Sequence, residues 1–272
     1  VEPGGPSLFD RIRSPGAGPV LIVAAHPDDE VIGAGSILSE VADVWIAHLT
    51  DGAPLDMRDA ARRGFATRDA YARARRAEVA AALAIAGVPE ARRIHLGFVD
   101  QEAAHDLAGV ARAIADLFHD RSPAIVITHP YEGGHPDHDA AAFGVSAARR
   151  LVRAAGVEAP AVWEMASYHA AEGGTRVLAF LPNGGGVEER RLTAEEKKAK
   201  RRMLRCFPTQ RDVVRLFPVD VERFRPAPAY DFTRPPHEGT LHYERFDWGT
   251  TGDAFREGAA RALEALGLGA GT

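Results

Sequence analysis

Two short stretches of this chain hold the residues whose types and spacing could do chemistry. Residues 21–35, LIVAAHPDDEVIGAG, run from apolar residues straight into His26, Asp28 and Asp29, with Pro27 stiffening the turn that carries them. Residues 128–139, THPYEGGHPDHD, repeat the arrangement with His129, His135, Asp137 and His138. An acid beside a helix N-terminus can act as a cap or complement the dipole. That accounts for one carboxylate, not for a histidine two positions before Asp28 and three before Asp29. A neutral imidazole from each stretch and one carboxylate make a three-ligand site of the kind that holds catalytic zinc, with positions left for water and substrate. Zinc (Zn2+) is the first choice, and another divalent metal such as Fe2+ the alternative.

The elements that must position these residues follow from the apolar pattern. Residues 21–25 read as a buried strand and 31–41 as the helix after it, so the first cluster falls at the carboxyl end of a strand, where open parallel sheets take ligands. Residues 43–48 read as a second strand, 69–87 as a helix, 92–96 as a third strand, 107–120 as an amphipathic helix and 124–127 as a fourth strand. The second cluster and a helix over 139–155 follow it. Strands over 161–169 and 176–181, and helices over 193–207 and 255–266, complete the reading. The alternation predicts an α/β fold: a Rossmann-like, mostly parallel sheet with helices on both faces, plus a loop-rich C-terminal cap. Residues 1–18, rich in Pro and Gly, read as an N-terminal arm, 19–210 as the core, and 211–272 as the cap and terminal helix of the same compact domain. The charges of EEKKAKRRMLR, at i, i+3 and i+4 spacing, read as a solvated helix face.

AHPDDE at residues 25–30, followed by HPDH at 135–138, resembles the paired signatures of the LmbE-like, or PIG-L, family of zinc-dependent de-N-acetylases. The resemblance extends to TDG at 50–52, to the helix from Arg75 and Glu78 to AGV at 86–88, and to FPTQ at 207–210, and fades in the C-terminal stretch. Carried over position by position, it implies that His26, Asp29 and His138 hold zinc, that Asp28 is the general base and that His135 stabilises the oxyanion. Zinc lowers the pKa of its bound water from about 16 towards 7, so Asp28 need only take a proton from an acidified water. Asp137 is the neighbouring acid expected to keep His135 protonated. The activity implied is hydrolysis of a linear amide, removing an N-acetyl or related N-acyl group from an amino sugar or sugar-containing metabolite.

Candidates for substrate contact are spread along the chain. The connection over 56–68 carries Arg58, Arg62, Arg63 and Arg68, and reads either as a solvated loop or as a lid whose arginines, Arg68 among them, meet substrate. Asp100 sits where the family has an acid near the substrate. Tyr168 and His169 end an expected strand and are candidates for the rim, and the cap offers Tyr230, Phe232, His237 and Trp248. Arg75 and Glu78, at i, i+3, could pair with each other. His129 is a candidate for a supporting role. His48, His95, His105, His119, His237 and His242 read as ordinary strand, surface or loop residues.

Composition narrows the classes. The chain has 272 residues, 46% hydrophobic and 26% charged, with a formal net charge of −5. That charge argues against nucleic acid as a partner. The single Cys206 permits no internal disulfide and fits a reducing, cytoplasmic setting. No signal-peptide-like or membrane-spanning run stands out. The expected partner is a small N-acylated amino-sugar substrate, and homo-oligomerisation is left open. Among rivals, a dinucleotide oxidoreductase fails because GAG at 33–35 is not GxGxxG and HPDDE would set acids against a pyrophosphate. A non-haem iron oxygenase usually reads His-x-Asp rather than His-x-x-Asp. An amidase acting on thiol conjugates is the nearest alternative, and an inactive sugar-binding protein should have lost Asp28.

Overall fold

The computed structural model describes residues 6–182, 185–246 and 248–269. Ser7 caps α1 (Leu8–Arg13) through a reciprocal pair of bonds with Asp10, and Leu8, Phe9 and Ile12 bury in the core. The expected arm therefore contains a docked helix. Phe9 meets Phe224 edge-on at 5.6 Å, and the Leu8 N–H donates to Glu188 at 2.9 Å. The apolar trio was masked by the Pro and Gly around it; residues 1–5 of the arm lie outside the described residues.

The chain then alternates. β1 (Val20–Ala24) leads into α2 (Asp29–Glu40), and β2 (Val44–Pro54) through α3 (Arg58–Arg62) into α4 (Arg68–Ile85). β3 (Arg93–Asp100) leads into α5 (Leu107–Arg121), β4 (Ile125–Thr128) into α6 (Pro136–Ala154), and β5 (Ala161–Met165) closes the parallel part. The parallel order is β3-β2-β1-β4-β5. β1 shows why: Val20, Ile22 and Ala24 point into one core and Leu21 and Val23 into the other, so helices must cover both faces. The order reverses between β1 and β4, and both polar clusters follow those two strands, at the switch point where such sheets take ligands.

Beyond β5 the structure departs from the sequence reading. The strand expected over 161–169 stops at Met165; Tyr168 begins a separate hairpin of β6 (Tyr168–Ala171) and β7 (Gly174–Val177). β8 (Glu188–Arg191) precedes α7 (Ala194–Leu204) and α8 (Arg211–Val214), and β9 (Val221–Pro226) runs antiparallel between β5 and β8 in the seven-stranded sheet. The sheet therefore extends past residue 210, into the stretch read as cap. EERR and VERFRP carry too many charges to read as strands from sequence. After them, α9 (Gly252–Ala265) packs Phe255, Ala259 and Ala262 into the α5–α6 core. Among the described residues, no helix is long and apolar enough to cross a membrane.

α2 is spliced rather than continuous. Ala34 is non-helical (φ −139°, ψ 25°) and marks a kink between two helical pieces. Lys200 of α7 donates to Ile32 O at 2.7 Å, and Glu222 of β9 accepts from Ser36 N–H at 3.2 Å and from its hydroxyl at 2.6 Å. The two side chains also bond each other at 2.7 Å and are almost wholly buried. A buried ion pair thus bonds a carbonyl and an N–H on the two sides of the kink. Lys200 corrects the reading of α7 as a solvated charged face.

Candidate metal and catalytic centre

The turn after β1 is held from several sides. Asp29 Oδ2 accepts the His26 N–H at 2.8 Å and lies 3.2 Å from His26 Nδ1, 3.3 Å from His138 Nε2 and 3.4 Å from His129 Nε2. His26, Asp29 and His138 each offer one ligand atom, all within 4.8 Å of one another, and all three residues are buried. Burial would push the Asp29 carboxyl up, but His138 and His129 outweigh it and hold it well below the usual range. Burial and then His129 push His138 down to about 3. An ionised carboxylate and a neutral imidazole are the forms a metal takes, and a set of two nitrogens and one oxygen suits zinc. The residues present fit such an ion. His26 is the exception in isolation: burial lowers it, yet Asp100, Asp137 and Asp29 raise it well above the ordinary value.

Asp28 lies beside this triad and does not join it. Its backbone has φ 146° and ψ −25° at the start of α2, a region that L residues rarely adopt. Its Oδ2 accepts from Arg75 Nη1 at 3.3 Å. Burial pushes the carboxyl up to about 7, Arg75 pulling it back and Asp29 adding to the rise. Arg75 therefore meets Asp28 rather than Glu78, the partner its i, i+3 spacing suggested. Glu78 accepts from Thr209 N–H and its hydroxyl (2.9 and 2.5 Å), which ties FPTQ to α4. Gly52 in TDG is required here. It has φ +65°, and a Cβ would fall 2.7 Å from Arg75 Nε. TDG is part of β2, with the Thr50 hydroxyl donating to Ala25 O at 3.0 Å.

The second cluster approaches from β4. His135 is the N-cap of α6, and its Nδ1 accepts the Asp137 N–H at 3.1 Å. Asp137 Oδ2 turns to His26 Nε2 (3.2 Å) and to the Gln101 N–H (2.7 Å), and stays 4.0 Å from His135 Nδ1. Burial, His26 and His138 together push His135 well below its ordinary pKa. Asp137, expected to pair with His135, thus turns its carboxylate to His26 and Gln101, and the bond it makes to His135 Nδ1 comes from its backbone N–H. His129 stacks on His138 at 3.9 Å and accepts the Ala25 N–H on Nε2 at 3.1 Å, so it supports the triad from behind with that lone pair already used.

The substrate candidates separate. Asp100, at the end of β3, lies 3.2 Å from His26 Nε2 and groups with His135 and Asp137. Tyr168 packs its ring 5.3 Å from His138. Gly134 permits that approach, since a Cβ there would sit 2.0 Å from Tyr168 O. His169 does not reach the centre. It alternates to the other side of β6, bonds Ala170 O at 2.8 Å, and has His237 and Arg176 as neighbours. Arg68 is committed to Asp51 at 2.5 Å. Of the cap rings, Trp248 alone meets the cluster, 4.7 Å from His135. Tyr230 and Phe232 pack on Tyr131, and His237 is bonded to Glu238 O. Sequence reasoning missed Glu30, whose Oε2 accepts the Asp28 N–H at 3.2 Å and lies 3.0 Å from His48 Nε2. The signal was the final acid of AHPDDE. His48 gave none, because a strand histidine in an apolar run reads as core.

A family model described as PIG-L, GlcNAc-PI de-N-acetylase, matches residues 21–149. Over 151 residues, 54% of this chain and 67% of the relative, the sequence is 30% identical to a Bacillus cereus protein described as a probable N-acetyl-alpha-D-glucosaminyl L-malate deacetylase 2. The chain belongs to the PIG-L family. Among solved structures, a triple mutant of a deacetylase of the teicoplanin biosynthetic pathway is 25% identical with a TM-score of 0.55, over 72% of this chain and 84% of that one. The 4-carboxy-2-hydroxymuconate hydratase of Pseudomonas putida is 22% identical with a TM-score of 0.53, over 73% and 82%. The hydratase shares the fold alone, so for this PIG-L chain the architecture does not choose the reaction.

Proposed function

We propose that the chain is a zinc-dependent hydrolase that removes an acetyl, or a related acyl, group from the nitrogen of an amino sugar or sugar-containing metabolite. One observation carries the reading: a buried carboxylate, Asp28, held by Arg75 beside a two-histidine, one-aspartate ligand set. The Bacillus cereus relative, described as acting on an N-acetylglucosaminyl malate, and the teicoplanin-pathway deacetylase support a sugar-borne amide.

Held by His26, Asp29 and His138, zinc would acidify a water and polarise the amide carbonyl. Asp28 takes a proton from the attacking water, whose oxygen bonds to the carbonyl carbon. A carboxyl near 7 has both forms populated at neutral pH, so the same group can return the proton to nitrogen as the C–N bond breaks. Acetate and a primary amine leave. Arg75 keeps the Asp28 carboxylate accessible against burial. His135 offers its Nε2–H to the oxygen of the tetrahedral carbon, a role that a neutral imidazole can fill. Asp137 and Asp100 orient His26 through Nε2.

Acetate release from zinc-loaded protein, assayed on free, nucleotide-linked and glycoside-linked N-acetylglucosamine, tests the reading. Release from at least one member is expected. No release from any, with zinc bound and a cysteinyl amide hydrolysed instead, would move the assignment to thiol-conjugate amides.

A further inference from the structure

A cavity of about 680 Å³ opens along α6, between that helix, β5, the 227–233 segment and α9. It reaches Thr128 and His129 at the end of β4, but none of His26, Asp28, Asp29, His135 and His138 lines it. One stripe of α6 faces it, Ala142, Ser146, Arg149 and Arg153, at i, i+4, i+7 and i+11, with Arg150 beside them. At the α-helical rise, Arg149 and Arg153 stand about 17 and about 22 Å along the axis from His138. The cavity holds more positive charge than its own acids answer. Glu164 is bonded to Arg225 at 2.7 Å and Asp231 to Arg234 at 3.3 Å. Arg150 donates to the carbonyls of Leu268 and Gly269, which leave its charge unopposed. Among the described residues Arg149 and Arg153 have no carboxylate partner, and the Arg149 Nε is buried without a hydrogen bond. Glu158, which shares a neighbouring cavity with Arg149, makes no ion pair with it. Burial and then Arg153 push Arg149 below its ordinary pKa, with no acid acting against them. Two like charges one helical turn apart repel, so their placement is unfavourable until a counter-charge arrives.

We propose that this cavity is a second ligand site, for an organic anion whose phosphate or carboxylate is gripped by Arg149 and Arg153 and whose apolar body lies along Phe143, Phe232 and Leu263. Guanidinium forks match either anion two bonds at a time, and two unopposed forks facing one cavity are completed by it. The walls fix the rest of the ligand. A void in the range of about 300–1,000 Å³, largely apolar with a few convergent polar groups, suits a small organic molecule rather than a bare ion. Its occupancy is independent of whether the metal centre deacetylates.

Calorimetric titration of the zinc-loaded protein with phenyl phosphate, benzoate, inorganic phosphate and benzyl alcohol tests the site. At least one aromatic anion is expected to bind with a Kd below about 1 mM, and inorganic phosphate and benzyl alcohol about tenfold more weakly or not at all. Tighter phenyl phosphate would uphold the site as one for a phosphate ester, and tighter benzoate as one for a carboxylate. Arg149→Met and Arg153→Leu are each expected to weaken the bound aromatic anion by about tenfold. Arg153 is exposed, so Arg153→Leu keeps the fold, and its unfolding midpoint without ligand should be no lower than that of the unaltered protein. Unchanged affinity in both variants would place the anion elsewhere and overturn the site. Inorganic phosphate binding as tightly as phenyl phosphate would reduce the cavity to a bare charge patch and overturn it, as would no binding of either aromatic anion.

Discussion

Asp28 adopts φ 146°, a conformation that costs a non-glycine residue on the order of 1–3 kcal/mol and persists only where neighbours over-determine it. Those neighbours are Glu30, which takes its N–H, and Arg75, which takes its carboxylate. Arg75 also acts on the carboxyl itself, because its charge opposes the rise that burial imposes on Asp28. Replacing it in Arg75→Leu is expected to raise the Asp28 pKa by about one unit, moving the acid limb of kcat/KM to higher pH and lowering activity at pH 7 about fivefold. An unmoved limb in the pH profile would take Arg75 out of that role. The residue types at the centre were legible because histidines and acids crowd into two short words, AHPDDE and HPDH. Their pairing was not. Arg75 and Glu78 share a helix face, yet each bonds to a segment remote in sequence. Asp137 is two positions from His135 but gives its carboxylate to His26, a choice made by the fold of the α6 turn and not by spacing.

At the scale of elements, α2 carries the proposed metal ligand Asp29 at its first residue and kinks at Ala34, where Lys200 and Glu222 bond Ile32 O and the Ser36 N–H. Removing one partner of a buried pair leaves an uncompensated charge. Lys200→Met is therefore expected to cost about 3–5 kcal/mol in urea unfolding. Lys200→Met with Glu222→Gln should cost less than the single change, since the neutral amide can still accept the Ser36 N–H. A double variant no more stable than the single would contradict the splice. The parallel strands were legible as short apolar runs ended by polar residues. β8 and β9 were not, because they are charged and owe their place to pairing with each other and with β5. Lys200 was equally unreadable: helix periodicity sets which residues share a face, but only the tertiary packing of α7 on α2 buries it.

Across the whole molecule, the five parallel strands bring the two clusters together at the switch point, and the C-terminal third locks that edge through a buried network. Arg225 of β9 bonds Glu164 at 2.7 Å, Glu132 at 3.2 Å and the Tyr230 hydroxyl at 2.9 Å. Burial pushes Glu132 up to about 8 and Glu164 up to about 7, against the pull of Arg225. In the unfolded chain glutamate titrates near about 4.3. Between those values the folded protein binds more protons than the unfolded one, so this contribution to stability is full below the unfolded value and is lost as pH rises through about 7 to 8. Glu132→Gln should flatten the fall in stability over that window, read from denaturation midpoints at each pH; an unchanged slope would contradict it. In the proposed reaction Asp28 is the base. Asp28→Asn, assayed for acetate release and for zinc content on the same preparation, tests most directly whether the cluster is a hydrolytic centre. The expected result is zinc bound as in the unaltered protein with turnover down about 10²–10⁴-fold. Full turnover in that variant would remove Asp28 from the reaction and contradict the hydrolytic reading of the centre.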